Sequence, residues 1–409
     1  MQKILAAAVV AASVTLVACT DSPSAPPVSS AAVPSFGLSP EAAANMSNYI
    51  AIGTSLSMGW ANDGVVSTSQ ESSWPSQLAD IARVSFAQPL IAAPGCVPPL
   101  ASPLIAFSRI DGSPATSSTT CAPNAAGVTL PTNNLSVENA STAEALNATP
   151  ATASAGRGPV TSRVLAAGMT QLTTMESLHP TFVSVEFGGN EVLPAQVGLL
   201  YPGVTFTPYA TFAANYTQII DRVVGTGAGA VLVTLIDDIR EFPTIRTGAE
   251  IAAQRTAFAA RNISVNANCD ESTNFIFVRG KVLTAVATAA FMAGHGLGVY
   301  NLSCADVPGT PDYILTPADV TFINALIHQM SALIQTKAEE NGFAVFSLNA
   351  LYGNSKEDVP FDLDAFLTSS TPYGPKISLD GVHPSAEGQK VLAKAAARAI
   401  QKTYGHEKP

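Results

Sequence analysis

The chain has 409 residues, of which 47% are apolar and only 12% charged, and a formal net charge of −10. That composition supplies a sizeable buried core and excludes a disordered protein. The acidic balance, with no block of Lys or Arg anywhere, excludes a nucleic-acid partner, which would need a basic face.

Residues 1–19 have the layout of a secretory signal. Lys3 supplies the positive charge, and residues 4–17 form an apolar stretch too short to span a bilayer comfortably. The stretch ends in Leu16-Val17-Ala18-Cys19, which resembles the bacterial lipobox, where the cysteine is lipidated and becomes the mature first residue. The alternative is an ordinary signal with a chance cysteine. Small residues leading straight into Cys19, and the polar tether behind it, favour the lipobox. Residues 20–40 are rich in Ser, Pro and Ala and read as a flexible linker. The domain is therefore expected over 41–405. The chain is expected to be exported to the bacterial cell envelope, periplasm or cell surface, touching membrane only through the lipid on Cys19. Thr20 after the cysteine favours the outer membrane of a Gram-negative cell.

Short apolar runs alternate with helical stretches from there on. Tyr49-Ile50-Ala51-Ile52 predicts a strand ending at Gly53. Residues 87–157 break the alternation and read as an insertion over the carboxyl edge of the sheet. A helix is predicted over 160–178, a strand over 181–187, a helix over 208–224 and a strand over 230–236. A second insertion, with several helical pieces, is expected over 239–315. Pro317–Asn341 is the clearest helix, with Thr316 to cap it, Asp319 to complete a capping box and Gly342 to close it. A strand over 343–348 and a helix over 384–404 complete the chain. Nearly continuous apolar strands separated by helices imply an α/β sandwich with a parallel sheet, whose ligands bind beyond the carboxyl ends of the strands.

Besides Cys19 the chain has Cys96, Cys121, Cys269 and Cys304. An even number in an exported chain suggests two disulfides in one of three connectivities. The local pairing is preferred because each pair encloses a loop-like segment. No C-x-x-C pair occurs and the histidines are scattered, so no metal site is expected.

Three motifs carry chemistry. Gly53-Thr54-Ser55-Leu56 follows the first strand directly, where a tight turn can expose the Ser55 hydroxyl. Alone, a serine there is more often a helix N-cap. Asp380-Gly381-Val382-His383 precedes the last helix; the three-residue offset lets Asp380 fix the tautomer of His383, leaving the other ring nitrogen to take a serine proton. Gly188-Gly189-Asn190 ends the second strand, where the Asn190 amide could face a developing oxyanion; alone it is good turn material. His179, His295, His328 and His406 have no acidic partner at a telling spacing and read as structural or surface residues. Asp237-Asp238 reads as the polar end of a strand rather than a glycosidase pair, and two tryptophans, Trp60 and Trp74, are too few for a sugar platform.

Together, in this order, the motifs resemble the SGNH (GDSL-type) serine hydrolase family, with Trp74-Pro75-Ser76-Gln77-Leu78 adding to the likeness over residues 49–404. The resemblance implies a three-layer α/β/α flavodoxin-like fold with a parallel central sheet and two unmatched long insertions. It further implies hydrolysis of acyl esters without metal or cofactor. Ser55, His383 and Asp380 would form the catalytic triad. The oxyanion hole would comprise the Ser55 N–H, the Asn190 side chain and a backbone N–H from a second block. That block aligns with Asn134-Leu135-Ser136-Val137-Glu138-Asn139, placing Asn139 where the family has Gly; Gly95 is the other candidate. Thr54 and Glu191 stand where the family more usually has Asp. The expected activity is that of an esterase or lipase on a small-molecule or glycan ester. The rivals are a carbohydrate O-deacetylase and a non-catalytic, lipid-anchored binding protein.

Overall fold

The computed structural model describes residues 37–116, 118, 120–154, 157–353 and 359–405. The expected signal, Cys19, residues 20–36 of the expected linker and His406 lie outside the described residues.

Four apolar runs build the central sheet: β1 (Tyr49–Ile52), β2 (Phe182–Val185), β3 (Gly229–Thr234) and β4 (Ala344–Ser347). They pair in parallel in that order, with Tyr49 opposite Phe182, Phe182 opposite Gly229 and Val231 opposite Ala344. Side chains alternate between the two faces of a strand. Tyr49, Ala51, Phe182, Val231 and Phe346 join one core with Trp74, Leu78, Leu392 and Ala396. Ile50, Ile52, Val183, Val185 and Leu232 join the other with Phe212, Ile219, Ile323 and Met330. The first core is closed by α1 (Trp74–Ala82) and α4 (Ala386–Tyr404), the second by α2 (Tyr209–Gly225) and α3 (Pro317–Asn341). Both sheet faces are thus covered, which is why the strands are apolar at most positions rather than only at alternate ones. The architecture is the three-layer α/β/α sandwich expected from the sequence.

Local chemistry fixes the element ends. At the start of α3 the Thr316 N–H donates to Asp319 Oδ2 (2.8 Å) while Thr316 Oγ1 accepts from the Asp319 N–H (3.2 Å), and Gly342 ends the helix at φ 65°. The helix predicted over 160–178 is instead two, Gly158–Val164 and Gln171–Ser177. Gly168 turns the chain at φ 75°, and Thr170 starts a fresh helix with its own capping box.

The segment 87–157 is not uniform. The Ala51 N–H donates to the Asn133 carbonyl (2.9 Å), and the N–H groups of Leu135 and Val137 donate to the carbonyls of Ala51 (2.8 Å) and Gly53 (3.1 Å). Residues 133–137 therefore run parallel along the free edge of β1 and deliver Glu138 and Asn139 to its carboxyl end. Five residues with three polar ones among them carry too little periodicity to reveal a strand. The remainder is irregular and closed by the Cys96–Cys121 disulfide. Segment 239–315 holds the helix Val278–Gly294, a three-stranded sheet (Ile245–Thr247, Phe275–Phe277, Ile314–Leu315), the pair Ile263–Val265 with Tyr300–Leu302, and the Cys269–Cys304 disulfide. Both disulfides are the local ones. No helix among the described residues is long and apolar enough to cross a membrane.

Candidate active site

β1 runs out at Gly53, where the chain must pass close to two neighbours. A Cβ there would lie 2.9 Å from Ser57 Oγ and 3.0 Å from the Glu186 carbonyl. The Gly53 backbone is held on both sides by Gln171, which accepts from its N–H (2.9 Å) and donates to its carbonyl (3.1 Å). Thr54 then caps a single helical turn, Ser55–Met58, which Gly59 ends at φ 87°. The buried Glu186 carboxylate fastens this turn by accepting from the Thr54 N–H (3.0 Å), Thr54 Oγ1 (2.8 Å) and Ser57 Oγ (3.0 Å). Burial pushes the Glu186 carboxyl up to about 7, against the pull of those hydrogen bonds. Gln389 of α4 adds a second tie, donating to the Leu56 carbonyl at 3.1 Å.

The turn before α4 brings the second motif to the same place. His383 Nε2 lies 2.9 Å from Ser55 Oγ, and His383 Nδ1 lies 3.1 Å from Asp380 Oδ2. Gly381 makes the turn at φ 75°, and a Cβ on it would sit 2.6 Å from the Tyr373 ring and 2.7 Å from Thr244 Cβ. Asp380 is only 3% exposed, yet all its acceptor positions are used. Oδ1 accepts from the N–H groups of Val382 (2.9 Å) and His383 (2.8 Å), and Oδ2 from the Asp63 N–H (2.8 Å) besides the imidazole. Burial works to raise the Asp380 pKa, but the charges of His383 and Arg279 and the hydrogen bonds hold it well below the usual carboxylate range. Burial likewise works to lower the His383 pKa; the Asp380 charge and hydrogen bond, with Asp63 and Glu138 beyond, leave it raised above the ordinary histidine value.

Asn190 stands on the one-turn 3-10 helix Gly189–Glu191 that follows β2. Its Nδ2 donates to the Ala140 carbonyl (3.0 Å), and the buried Glu191 beside it accepts from the Thr142 N–H (2.7 Å). The loop after β1's edge strand is thereby clamped to the end of β2. Asn139, one residue before Ala140, takes the left-handed φ of 54° that asparagine tolerates. Its carbonyl accepts from Arg157 Nη1 (2.7 Å) and its side chain is exposed. The N–H of Gly95 is committed to the Ala92 carbonyl (3.0 Å), within a turn of its own, which removes it as a candidate oxyanion donor.

An apolar cavity opens beside these groups. Ser55, Asn190 and His383 stand on its wall, and Val192, Leu235, Ile236, Ile327, Phe242 and Tyr352 line the rest. A polar, hydrogen-bonded cluster on the rim of an apolar pocket, beyond the carboxyl ends of a parallel sheet, suits an amphipathic ligand with one reacting polar group.

The model of the GDSL-like lipase/acylhydrolase family matches residues 49–396. The chain belongs to this family. Among solved structures, the chain is similar to the crystal structure of an extracellular lipase from Streptomyces rimosus, at 15% identity and a TM-score of 0.33, over 87% of this chain and 98% of that one. No curated protein matches the chain.

Several residues around this candidate site escape sequence reading. Glu186 and Gln171 hold the Ser55 turn from β2 and from a separate helix. A lone carboxylate closing an otherwise apolar strand was the only hint of Glu186. Trp74, buried in the core, donates from Nε1 to Ser57 Oγ (3.1 Å) and so supports the same turn. The tie from Asp63 to Asp380 had no signal beyond Asn62-Asp63-Gly64, which reads simply as a turn. Of the other described histidines, His328 Nε2 meets the Asp237 carbonyl (2.8 Å) and His295 Nδ1 that of Phe291 (2.8 Å), while His179 accepts through its backbone carbonyl from Asn48 Nδ2 (3.0 Å). Asp238 pairs with Arg240 and caps the short turn that starts there.

Proposed function

We propose that this GDSL-like acylhydrolase is a serine esterase. Ser55 is the nucleophile, His383 the general base and Asp380 the group that orients and charges the base. The observation that carries the reading is the unbroken line from Asp380 Oδ2 through His383 to Ser55 Oγ, at 3.1 and 2.9 Å, on the rim of an apolar cavity.

The mechanism follows from the chemistry of each group. As Ser55 Oγ attacks the ester carbonyl, its proton passes to His383 Nε2, and the imidazolium is stabilised by the Asp380 carboxylate. The carbonyl oxygen gains negative charge and is met by the Ser55 N–H and by Asn190 Nδ2, whose other proton is already on Ala140. The Asn139 N–H is proposed as the third donor. His383 then protonates the departing alkoxide, which leaves as the alcohol. Water, deprotonated by the same nitrogen, attacks the acyl-enzyme and releases the acid and Ser55. The apolar lining favours the acyl chain of an ester over a sugar ring, so an esterase is preferred to a carbohydrate O-deacetylase.

We further propose export to the cell envelope with a lipid on Cys19 as the membrane anchor. Loss of fatty-acid labelling and release from the membrane fraction in Cys19→Ser would support it; unchanged labelling would refute it.

The test of the catalytic reading is a fluorophosphonate probe and a p-nitrophenyl ester series from acetate to palmitate, with wild type beside Ser55→Ala. Labelling and turnover that vanish in the variant are expected. A folded wild type that neither labels nor turns over any ester of the series would overturn the reading.

A further inference from the structure

The two disulfide-closed loops converge on one side chain that the mechanism above does not use. Asp63 lies in the tight turn 61–64, where the Ala61 N–H donates to the Gly64 carbonyl (2.9 Å) and the Gly64 N–H to that of Ala61 (3.2 Å). Asn62 and Asp63 both take left-handed φ, 53° and 54°, as a two-residue hairpin turn of this hand requires. In that conformation the Asp63 N–H reaches Asp380 Oδ2 at 2.8 Å. Asn62 ties the same turn to the residues just before Asp380, accepting from the Leu379 N–H (2.8 Å) and donating its own N–H to Ser378 Oγ (3.0 Å).

The Asp63 carboxylate is itself gripped from two sides. Its Oδ2 lies 2.8 Å from Arg109 Nη2 and 2.8 Å from Arg279 Nη2. Arg109 is 6% exposed and also donates to the carbonyls of Asp63 (2.7 Å), Pro98 (2.9 Å) and Ala115 (2.9 Å). Arg109 belongs to the loop closed by Cys96–Cys121, and Arg279 to the segment closed by Cys269–Cys304, in the first turn of the helix Val278–Gly294. An exposed ion pair stabilises a protein little. A buried guanidinium with four donor contacts, two of them on Asp63, is a different object, because its charge loses its carboxylate unless the turn keeps its place.

We infer that Asp63, clamped between Arg109 and Arg279, is a positioning residue that holds the Asp380 carboxylate in register with His383, so that both disulfide-closed loops set the geometry of proton transfer from Ser55. The inference rests on the catalytic reading given above. Asp380 Oδ2 is shared between Asp63 N–H and His383 Nδ1; a turn free to swing would take the carboxylate with it and relax the tautomer and aim of the imidazole. The charged groups facing His383 are Asp380, Asp63 and Glu138, with Arg279 behind Asp380.

The test compares the full-length wild type with Ser55→Ala, Asp63→Asn, Arg279→Ala and Arg279→Lys. Titration with a fluorophosphonate counts competent serines, and kcat, KM and the pH profile of kcat/KM are measured per titrated site on p-nitrophenyl butyrate. The expected result is a tenfold or greater fall in kcat for Asp63→Asn and Arg279→Ala with KM within twofold. The acid limb should move down for Asp63→Asn, which removes a negative charge near His383, and up for Arg279→Ala, which removes a positive one. Arg279→Lys should recover most of kcat. Variants that keep kcat per site and an unmoved acid limb, losing only titratable serine, would overturn the inference in favour of a purely structural clamp. A wild type no faster than Ser55→Ala would overturn the catalytic reading and this inference with it.

Discussion

Asp380 is held by four hydrogen bonds in a nearly dry site, and the consequences at the scale of single residues follow from that. A carboxylate so satisfied stays ionised far into acid, while its charge keeps the His383 pKa above the ordinary value. As the proposed base, His383 must be neutral to accept the Ser55 proton, so kcat/KM should fall as pH drops through that raised pKa. Asp380→Asn removes the charge and favours the wrong tautomer. It should lower kcat by about 10⁴, as in other triads, and move the acid limb of the residual activity to lower pH. An acid limb that stays in place would show that Asp380 does not face the base during turnover. As the proposed oxyanion donor, Asn190 answers a different demand, since its amide would act only once charge develops on the substrate. Asn190→Ala should cost about 2.7–4 kcal/mol in kcat with KM little changed. A near-normal kcat would exclude it from the oxyanion hole.

At the scale of elements, the Ser55 turn is too short to hold itself and is fixed by Glu186, just beyond β2, and by partners from α1 and α4. Glu186 contributes most of those bonds and is the element's pH-sensitive part. Its folded pKa of about 7 lies above the usual 4.5, so the native state keeps this proton longer than the unfolded chain does. Its contribution to stability is therefore fully present below about pH 4.5 and lost as pH rises through about 7, with a ceiling of roughly 3 kcal/mol. Glu186→Gln should accordingly gain stability relative to wild type between pH 5 and pH 8, measured by denaturant unfolding at each pH. A constant difference across that range would mean that the carboxyl does not titrate there. The two disulfides act on the loops in another way, by restricting the unfolded chain. With cysteines 25 and 35 residues apart, each bridge is worth about 3–4 kcal/mol by loop-closure entropy. Cys96→Ser/Cys121→Ser and Cys269→Ser/Cys304→Ser should each lose about that much in urea unfolding. Losses well under 1 kcal/mol would place the loops' stability in packing instead.

For the molecule as a whole, the sandwich supplies the cavity as well as the proposed catalytic groups. Ile327 reaches it from α3, Leu235 and Ile236 from the end of β3, and Phe242 from the segment that follows. Ile327 is 1% exposed, so truncating it should enlarge the acyl space rather than open a surface. Ile327→Ala should shift the chain-length optimum upward. Each further methylene accommodated is worth about 0.8 kcal/mol, close to fourfold in kcat/KM. An unaltered profile across the p-nitrophenyl series would mean that the acyl chain lies elsewhere.

The sequence by itself determined the elements whose code is local. The four buried strands could be read from short apolar runs, and α3 from its capping box, first-turn proline and closing glycine, because these signals act within a few residues. The Ser55, Asn190 and Asp380/His383 motifs were legible for the same reason, each lying at the carboxyl end of a strand or just before a helix. What the tertiary structure alone decided depends on residues far apart in the chain. The 133–137 edge strand gains its hydrogen bonds from β1 rather than from its own pattern. Glu186 and Gln171 are ordinary residues until the sheet sets them beside the Ser55 turn. Asp63, Arg109, Arg279 and Asp380 meet only because segments far apart in the chain pack around the turn 61–64. Periodicity and propensity record which face a residue presents; they do not record which distant charge will be waiting there.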